Sequence, residues 1–405
     1  MTEATQPSGP LRGLRVFDLT RVLAGPSCTQ MLGDLGAEII KIEKPGEGDD
    51  TRAYAPPVMP GTHHSAYYMA INRNKRSLAL DISTPEGQEI ARALIAQSDI
   101  LVENFKTGTL PRYGLGWEDV RKFNPGMVFC SITGFGQTGP YASRPGYDGL
   151  VQAMSGLMSL TGPADGEPMR MGISVCDLFA GLHAAIGILA ALHHRRETGV
   201  GQQVDISLLD ASIAMLANQG MNYLATGIDP KRLGNDHPNI VPFRPFATAD
   251  GHMFLTVGND SMFRRFCENT GLSELASDPR FATNAQRVAN RAPLLAVLEP
   301  VMRRHTTTWW VDRLEEWKIG GAPINRLSEV FADPHVQARG MVMKMPHPEA
   351  GEVTLLGSPF KLSETPPDFR LPPPDIGQHT DEILGDRLGL DEAALAGLRE
   401  RGVIA

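Results

Sequence analysis

The chain has 405 residues, with 38 Lys and Arg against 46 Asp and Glu, a formal net charge of −8. Apolar residues at 42% and charged residues at 21% argue against a disordered or a membrane-embedded chain, and the acidic balance argues against a broad nucleic-acid surface. The length predicts two domains, each able to bury its own core.

Residues 1–10 are polar, with neither the apolar core of a signal peptide nor the Arg-rich pattern of a transit peptide, and read as a flexible tail. From there apolar, β-branched runs alternate with helical periodicity. A strand over Leu14 to Leu19, a helix from Cys28 to Leu35 and a strand from Glu38 to Glu43 make a βαβ unit. The pattern repeats through a strand at Ser77 to Ile82, a helix at Glu86 to Gln97, a strand at Ile100 to Glu103, a helix at Trp117 to Phe123 and a strand at Met127 to Thr133. Such alternation predicts an α/β fold with a parallel sheet, and it places ligands at the carboxyl ends of the strands. The turns Thr20 to Pro26, Lys44 to Asp49, Asn104 to Thr107 and Gly134 to Gly139 are therefore expected to line the site.

A helix from Asp177 to about Arg196 carries Ala180, Gly181, Ala184, Ala185 and Gly187 on or near one side, which predicts close packing against another element. Its apolar stretch Leu182 to Leu192 is too short to span a bilayer and contains His183, so it reads as a buried helix with no membrane span. A strand at Val204 to Leu208 and a helix at Asp210 to Tyr223 come next. The Gly-, Asn-, Pro- and His-rich stretch Gly234 to Pro245 then marks a change of texture. These features divide the chain into a large domain over 11–225, a small α+β domain with its linkers over 226–325, and a return to the large domain over 326–405. Gly320 to Pro323 reads as the return hinge. The last part alternates strands at Met341 to Met345 and Val353 to Leu356 with Pro-rich residues 366–374 and two helices.

Cys28, Cys130, Cys176 and Cys267 have no Cys-x-x-Cys spacing, which points to a reducing, cytoplasmic setting with no disulfide framework and no zinc site. The pairs His63-His64 and His193-His194 lack the i, i+4 spacing that lets a helix present two imidazoles to one ion, and no metal is expected. Gly134 to Gly139 matches G-x-G-x-x-G, but Pro140 stands where a helix should open, so a nicotinamide site is not expected. No G-x-S-x-G elbow is present. Asp177 at the head of its helix reads first as a cap. The same position also suits a nucleophile, because a helix N-terminus stabilises an anion by about 0.3–1 kcal/mol and would keep the carboxylate ionised at neutral pH. Lys41, Lys44, Arg73, Lys75, Arg76, Lys106, Arg112 and Arg144 gather on the predicted loop side, as a solvated face or as the basic set that a ligand with several phosphates needs.

Leu14 to Thr20 with Ala24-Gly25-Pro26, Leu32 to Glu38 running into Ile40 to Glu43, Asn72 to Ser77, Val102 to Phe105, Gly146-Tyr147-Asp148, Thr198-Gly199 with Gly201-Gln202, and Gly377 to Thr380 occur in order along the chain. Through these strings, and over nearly its whole length, the chain resembles the family III CoA-transferases. The resemblance implies a homodimer of two interlocked rings, each a Rossmann-like large domain and a smaller domain joined by two linkers. It assigns the nucleophile to Asp177 and CoA contacts to Lys44, Leu80, Asn104, Phe105 and Arg112. One basic contact aligns with Pro145, which leaves Arg144 as its substitute. A glutamine of the formyl-CoA-transferring branch aligns with Leu23, which argues against formyl-CoA and oxalate. Ser131 to Pro140, Ser155 to Met158 and Asn239 to Phe243 are similar to the branch that uses succinate and hydroxymethylglutarate.

The activity implied by the resemblance is an exchange of CoA between an acyl-CoA and a small carboxylic acid, dicarboxylates such as succinate in particular. CoA thioesters enter as substrates and no prosthetic group is needed. The substrate side falls to Tyr147, to Gly136 and Gly234 as backbone donors, and to Arg52, Arg144 or Arg170 as the partner of a distal carboxylate. Two readings compete: an α-methylacyl-CoA racemase, whose histidine is replaced by Tyr147, and a catalytically silent CoA-binding protein, against which Asp177 speaks.

Overall fold

The computed structural model describes residues 8–405. Most of the expected N-terminal tail, residues 1–7, lies outside the described residues. Ser8 is fastened, donating from its backbone N–H and its hydroxyl to Asp368 at 3.0 Å each.

The chain divides into two compact units. The first takes the chain up to Gly156, then Met171–Met221 and His335–Ala405; the second takes Leu157–Arg170 and Asn222–Pro334. These limits differ from the expected 226–325 mainly by the segment 157–170, whose Gly- and Pro-rich run at 162–168 the expected boundaries leave inside the large domain.

In the first unit β1 (Arg15–Leu19), β2 (Glu38–Glu43), β3 (Lys75–Ala79), β4 (Ile100–Glu103), β5 (Val128–Thr133) and β6 (Gln202–Ser207) form a six-stranded sheet in the order β3-β2-β1-β4-β5-β6, every pairing parallel. Helices cover both faces in such a sheet, which is why β4 and β5 are buried at every position and read as unbroken apolar runs. The strand order reverses between β1 and β4, and the chain ends leaving those two strands diverge to open a crevice.

The helix Val175–Thr198 lies against this sheet layer and ends at Gly199, whose φ of 77° is the left-handed cap that glycine adopts without strain. A Cβ at Gly181 would stand 2.4 Å from Ser27 Oγ and 2.5 Å from the Ala24 carbonyl oxygen, so the predicted small-residue face exists to let the helix Ala24–Asp34 approach. The opposite face departs from expectation. Leu178, Leu182, Ile186 and Leu189 are exposed, so the helix is buried on one side only. By length and composition alone it is apolar enough to cross a membrane.

The C-terminal segment closes the same core. Ile383, Leu384, Leu395, Leu398, Val403 and Ile404 pack with Phe17, Ile40, Leu101 and Phe129. The strands Val342–His347 and Gly351–Leu356 pair as an antiparallel hairpin.

The second unit holds a three-stranded antiparallel sheet of Phe243–Ala247, His252–Thr256 and Gly320–Pro323 over a core that includes Phe263, Phe266, Trp310 and Leu314. Gly320 to Pro323, expected as a hinge, is thus an edge strand. Its glycine has a packing cause: a Cβ at Gly321 would lie 2.5 Å from Leu314 Cδ1.

Candidate active site

Two adjoining cavities of the first unit open at the carboxyl ends of its strands. One, about 590 Å3, is lined by Lys44, Leu80, Phe105 and Tyr113 among others. The other, about 380 Å3, is lined by Leu23, Asn104, Arg144, Tyr147, Asp148 and Asp177 among others. Arg21, Asp50, Tyr54 and Phe105 belong to both walls. The expected turns after β1, β2 and β4 are all represented; of the turn after β5 only Gly134 faces the cavity.

Asp177 lies in the first turn of the helix Val175–Thr198 rather than before it. The capping role falls to Asp148, whose Oδ1 accepts from the Cys176 N–H at 2.8 Å while its Oδ2 accepts from Gln152 at 2.6 Å. The Asp177 carboxyl is left to its surroundings. Burial, and then the negative charge of Asp148, push its pKa up to about 7. The expectation that the helix end holds it fully ionised is therefore corrected: a helix terminus is worth under one pH unit, whereas dehydration beside a second carboxylate outweighs it. Tyr67 hydrogen-bonds Ser174, the N-cap residue, and its hydroxyl is pushed up in pKa by burial and by the charge of Asp177.

The surrounding loops are pinned to one another. Asn104 Oδ1 accepts from the Arg21 N–H at 2.9 Å and its amide donates to the Arg21 carbonyl at 2.7 Å, joining the ends of β1 and β4 across the crevice. Val22 is held at φ 68°, a costly conformation for a β-branched residue, by its N–H bond to Asp49. Gly134 and Gly146 cross backbone against backbone. A Cβ on Gly146 would sit 2.2 Å from Gly134 Cα, so neither position accepts a side chain, and the crossing sets the segment that carries Tyr147 and Asp148. Gly136 does not line either cavity, and its N–H is taken by Thr133 Oγ1 at 2.9 Å, so it is withdrawn as a donor to substrate. The loop Gly134 to Gly139 opens no helix.

The basic set of the sequence divides in two. Lys41 and Lys75 are fully buried, paired with Asp49 at 2.8 Å and Asp18 at 3.3 Å, and each also donates to a backbone carbonyl, of Thr20 in the turn after β1 and of Pro26 in the first turn of the helix Ala24–Asp34 respectively. Arg73 is buried on Asp34, and Arg76 bonds Glu38. These four are committed to partners within the fold. Lys44, exposed and beside Glu47 at 2.6 Å, Lys106, and Arg144, lying 3.9 Å over the Tyr141 ring, reach the cavity walls. Arg112 is exposed and lines neither cavity, though its neighbour Tyr113 does. Arg52 is also withdrawn: it forks onto Glu43 through two bonds of 2.8 Å and donates to Tyr68 and the Pro374 carbonyl. Arg170 and Gly234 lie in the second unit, along a cavity of about 700 Å3 with Arg244 and Arg303.

Two wall residues, Arg21 and Asp148, and Tyr67 beside the head of the helix carry no role on sequence grounds. Arg21, beside Asp50 at 3.2 Å, sits inside a turn expected to line the site but is hidden by its apolar neighbours. Asp148 stands in the Gly146-Tyr147-Asp148 string, where nothing local marks it as a cap for a helix 28 residues on. Tyr67 has no signal, since only the fold brings residue 67 to the head of a helix that begins at 175.

The profile of the family described as CoA-transferase family III matches residues 11–380. The succinate–glutarate CoA-transferase of Agrobacterium fabrum is 44% identical over 97% of this chain and 100% of its own. The human succinyl-CoA:glutarate CoA-transferase is 43% identical over 98% and 90%. Among solved structures, a CAIB/BAIF family protein from Brucella suis superposes with a TM-score of 0.83 at 44% identity, covering 94% of this chain and all of that one. Rv3272 from Mycobacterium tuberculosis gives 0.83 at 31% identity, covering 92% and 99%. A family model over residues 11–380, relatives at 43% and 44% identity over nearly the whole length and the superposition on a solved structure together show that this chain belongs to the family III CoA-transferases.

Proposed function

We propose that this enzyme moves CoA from a succinyl-type dicarboxylyl-CoA to a second small dicarboxylic acid, with Asp177 as the acylated group. The observation that carries the reading is the place of Asp177, a dehydrated carboxyl on the wall of a strand-end cavity that adjoins the one bearing Lys44, Leu80 and Phe105. The names of the relatives from Agrobacterium fabrum and human support dicarboxylates on both sides of the exchange.

A carboxylate oxygen of Asp177 attacks the thioester carbonyl carbon; the C–S bond breaks, CoA leaves as thiolate, and a mixed anhydride remains. The thiolate attacks the aspartyl carbonyl carbon and expels the donor acid, leaving an aspartyl-CoA thioester. The acceptor carboxylate attacks that thioester, and the released thiolate then takes the acceptor acyl group and frees Asp177. Each intermediate stays activated, so the cycle calls for no prosthetic group, only for exclusion of water. A pKa of about 7 leaves a large share of Asp177 ionised at neutral pH, and poor hydration makes that anion a stronger nucleophile than a solvated carboxylate.

Lys44, Leu80, Asn104 and Phe105, with Arg112 on the adjoining turn, serve CoA in this reading, and Tyr147 borders the acyl group. Of the three arginines expected for a distal carboxylate, Arg144 is the one that shares a wall with Asp177, and it would bind that carboxylate through two parallel hydrogen bonds. The exposed row Leu178, Leu182, Ile186 and Leu189 is assigned to a second copy of the chain, giving a homodimer. The free, buried cysteines suit a reducing, cytoplasmic setting.

Mass spectrometry after mixing with succinyl-CoA tests the core of this reading. The wild type should gain the mass of CoA, whereas Asp177→Ala should gain none, lose transfer and still bind acyl-CoA; an adduct on the variant refutes the assignment. Equal kcat/KM for succinate and butyrate as acceptors would remove the dicarboxylate preference.

A further inference from the structure

His63 and His64, adjacent in sequence and unpromising there, converge on one atom in the fold. The Nε2 of each lies 3.2 Å from Asp375 Oδ1, and the ligand atoms of the three residues all fall within 4.8 Å of one another. The rings lie 4.2 Å apart at an interplanar angle of 34°, so both nitrogens can face the same point. Two donors held about 2.0–2.1 Å from a tetrahedral ion stand roughly 3.3–3.4 Å apart, close to these N···O separations.

A second observation is independent of that spacing. The other nitrogen of His63, Nδ1, faces the Glu349 carboxylate at 3.0 Å. The outward nitrogen of a metal-bound histidine characteristically donates to a carboxylate, which fixes the tautomer and the ring. His64 is buried, its edge set by stacking on Tyr68 and by His347, while His63 and Asp375 keep 65% and 42% of their side chains exposed. That leaves an open side for water.

We propose that His63 Nε2, His64 Nε2 and the Asp375 carboxylate bind a divalent cation of the zinc type, with Glu349 orienting His63 and water completing the shell. Imidazole with a single carboxylate selects zinc and its neighbours over calcium or magnesium, which take oxygen ligands. The site stands apart from the cavity walls that hold Asp177. It would clip three distant parts of the first unit: the turn at 61–65, the hairpin turn at 347–351, and residue 375. Next to Asp375, the Pro374 carbonyl already receives Tyr68 and Arg52, and Gly377 and His379 bond Ser77 of β3. The role is therefore to fasten the returning C-terminal segment, not to take part in transfer.

The test uses the full chain without a histidine tag, stripped with chelator and titrated with Zn2+ and then Co2+. One Zn2+ per chain with Kd below about 10 μM, a higher Tm, and the strong visible absorption of four-coordinate Co2+ are expected. His63→Gln and Asp375→Asn, both at partly exposed positions, should weaken binding at least tenfold while the metal-free Tm stays near that of the wild type. Substoichiometric or weaker binding overturns the proposal, and so does binding that both variants retain. Because none of these readouts uses transfer activity, the metal site and the Asp177 assignment stand or fall separately.

Discussion

Asparagine at position 177 should make the enzyme more stable above neutral pH and no different in acid. The Asp177 carboxyl moves from an ordinary value of 3.8 to about 7 in the folded chain, through burial first and Asp148 second. Below pH 3.8 both the folded and unfolded carboxyls are protonated, and the residue is neutral in its effect. Between 3.8 and 7 the unfolded chain ionises while the folded one keeps its proton, so stability falls as pH rises; above 7 the full cost is present. Each pH unit is worth about 1.4 kcal/mol, which gives roughly 4 kcal/mol for a fully dehydrated group. Partial exposure of the side chain lowers the expectation to about 1–2 kcal/mol. Asparagine has the same shape without the charge, so Asp177→Asn should melt about 1–2 °C above the wild type at pH 8 and level with it near pH 4. Other groups in the same window, Glu103 among them at about 7, are common to both proteins and cancel in the difference. Thermal unfolding across pH 4–8 checks this. A variant no more stable at pH 8, or one whose advantage persists at pH 4, would refute the account of Asp177.

The acid limb of kcat/KM should fall near pH 7 and move to lower pH in Asp148→Asn, which removes the second cause of the shift but keeps an oxygen for the Cys176 N–H; an unmoved limb would separate Asp148 from the nucleophile. Gly146→Ala should cost about 1–3 kcal/mol and at least tenfold in kcat, because its Cβ meets the Gly134 backbone and the relief must displace Tyr147 and Asp148. Wild-type Tm and activity in that variant would contradict the crossing.

The layers of this fold are legible because the central strands β1, β4 and β5 are short, buried, largely apolar runs punctuated by polar turns. The Leu14 to Leu19 run and the end of β4 are therefore enough to place the crevice. Charges are not legible in the same way. Lys41 and Lys75 read as ligand-binding cations, yet their partners Asp49 and Asp18 neutralise them inside the protein, and a pairing such as Lys75 with Asp18 leaves no trace in local sequence. The pKa of Asp177 is hidden for a related reason, since dehydration depends on what the fold stacks over a side chain. The segment 157–170 enters the second unit with only the Gly- and Pro-rich run at 162–168 to mark it, and such a run reads equally as a surface turn. His63 and His64 look inert in sequence because Asp375, which makes sense of them, lies more than 300 residues away.

Leu80, on the wall of the larger cavity, is bridged to Ile404, and the N–H of Asp81 beside it bonds the Val403 carbonyl. During translation at about 5–20 residues per second, the ribosome needs tens of seconds between making the two sides of that contact. Until then the edge of the sheet that carries Leu80 has no backing, and the wall it belongs to is not in place. On the proposed mechanism, a nascent chain that already contains Asp177 would still lack a finished pocket for CoA, and acylation of Asp177 would wait until the fold that shields it from water has closed.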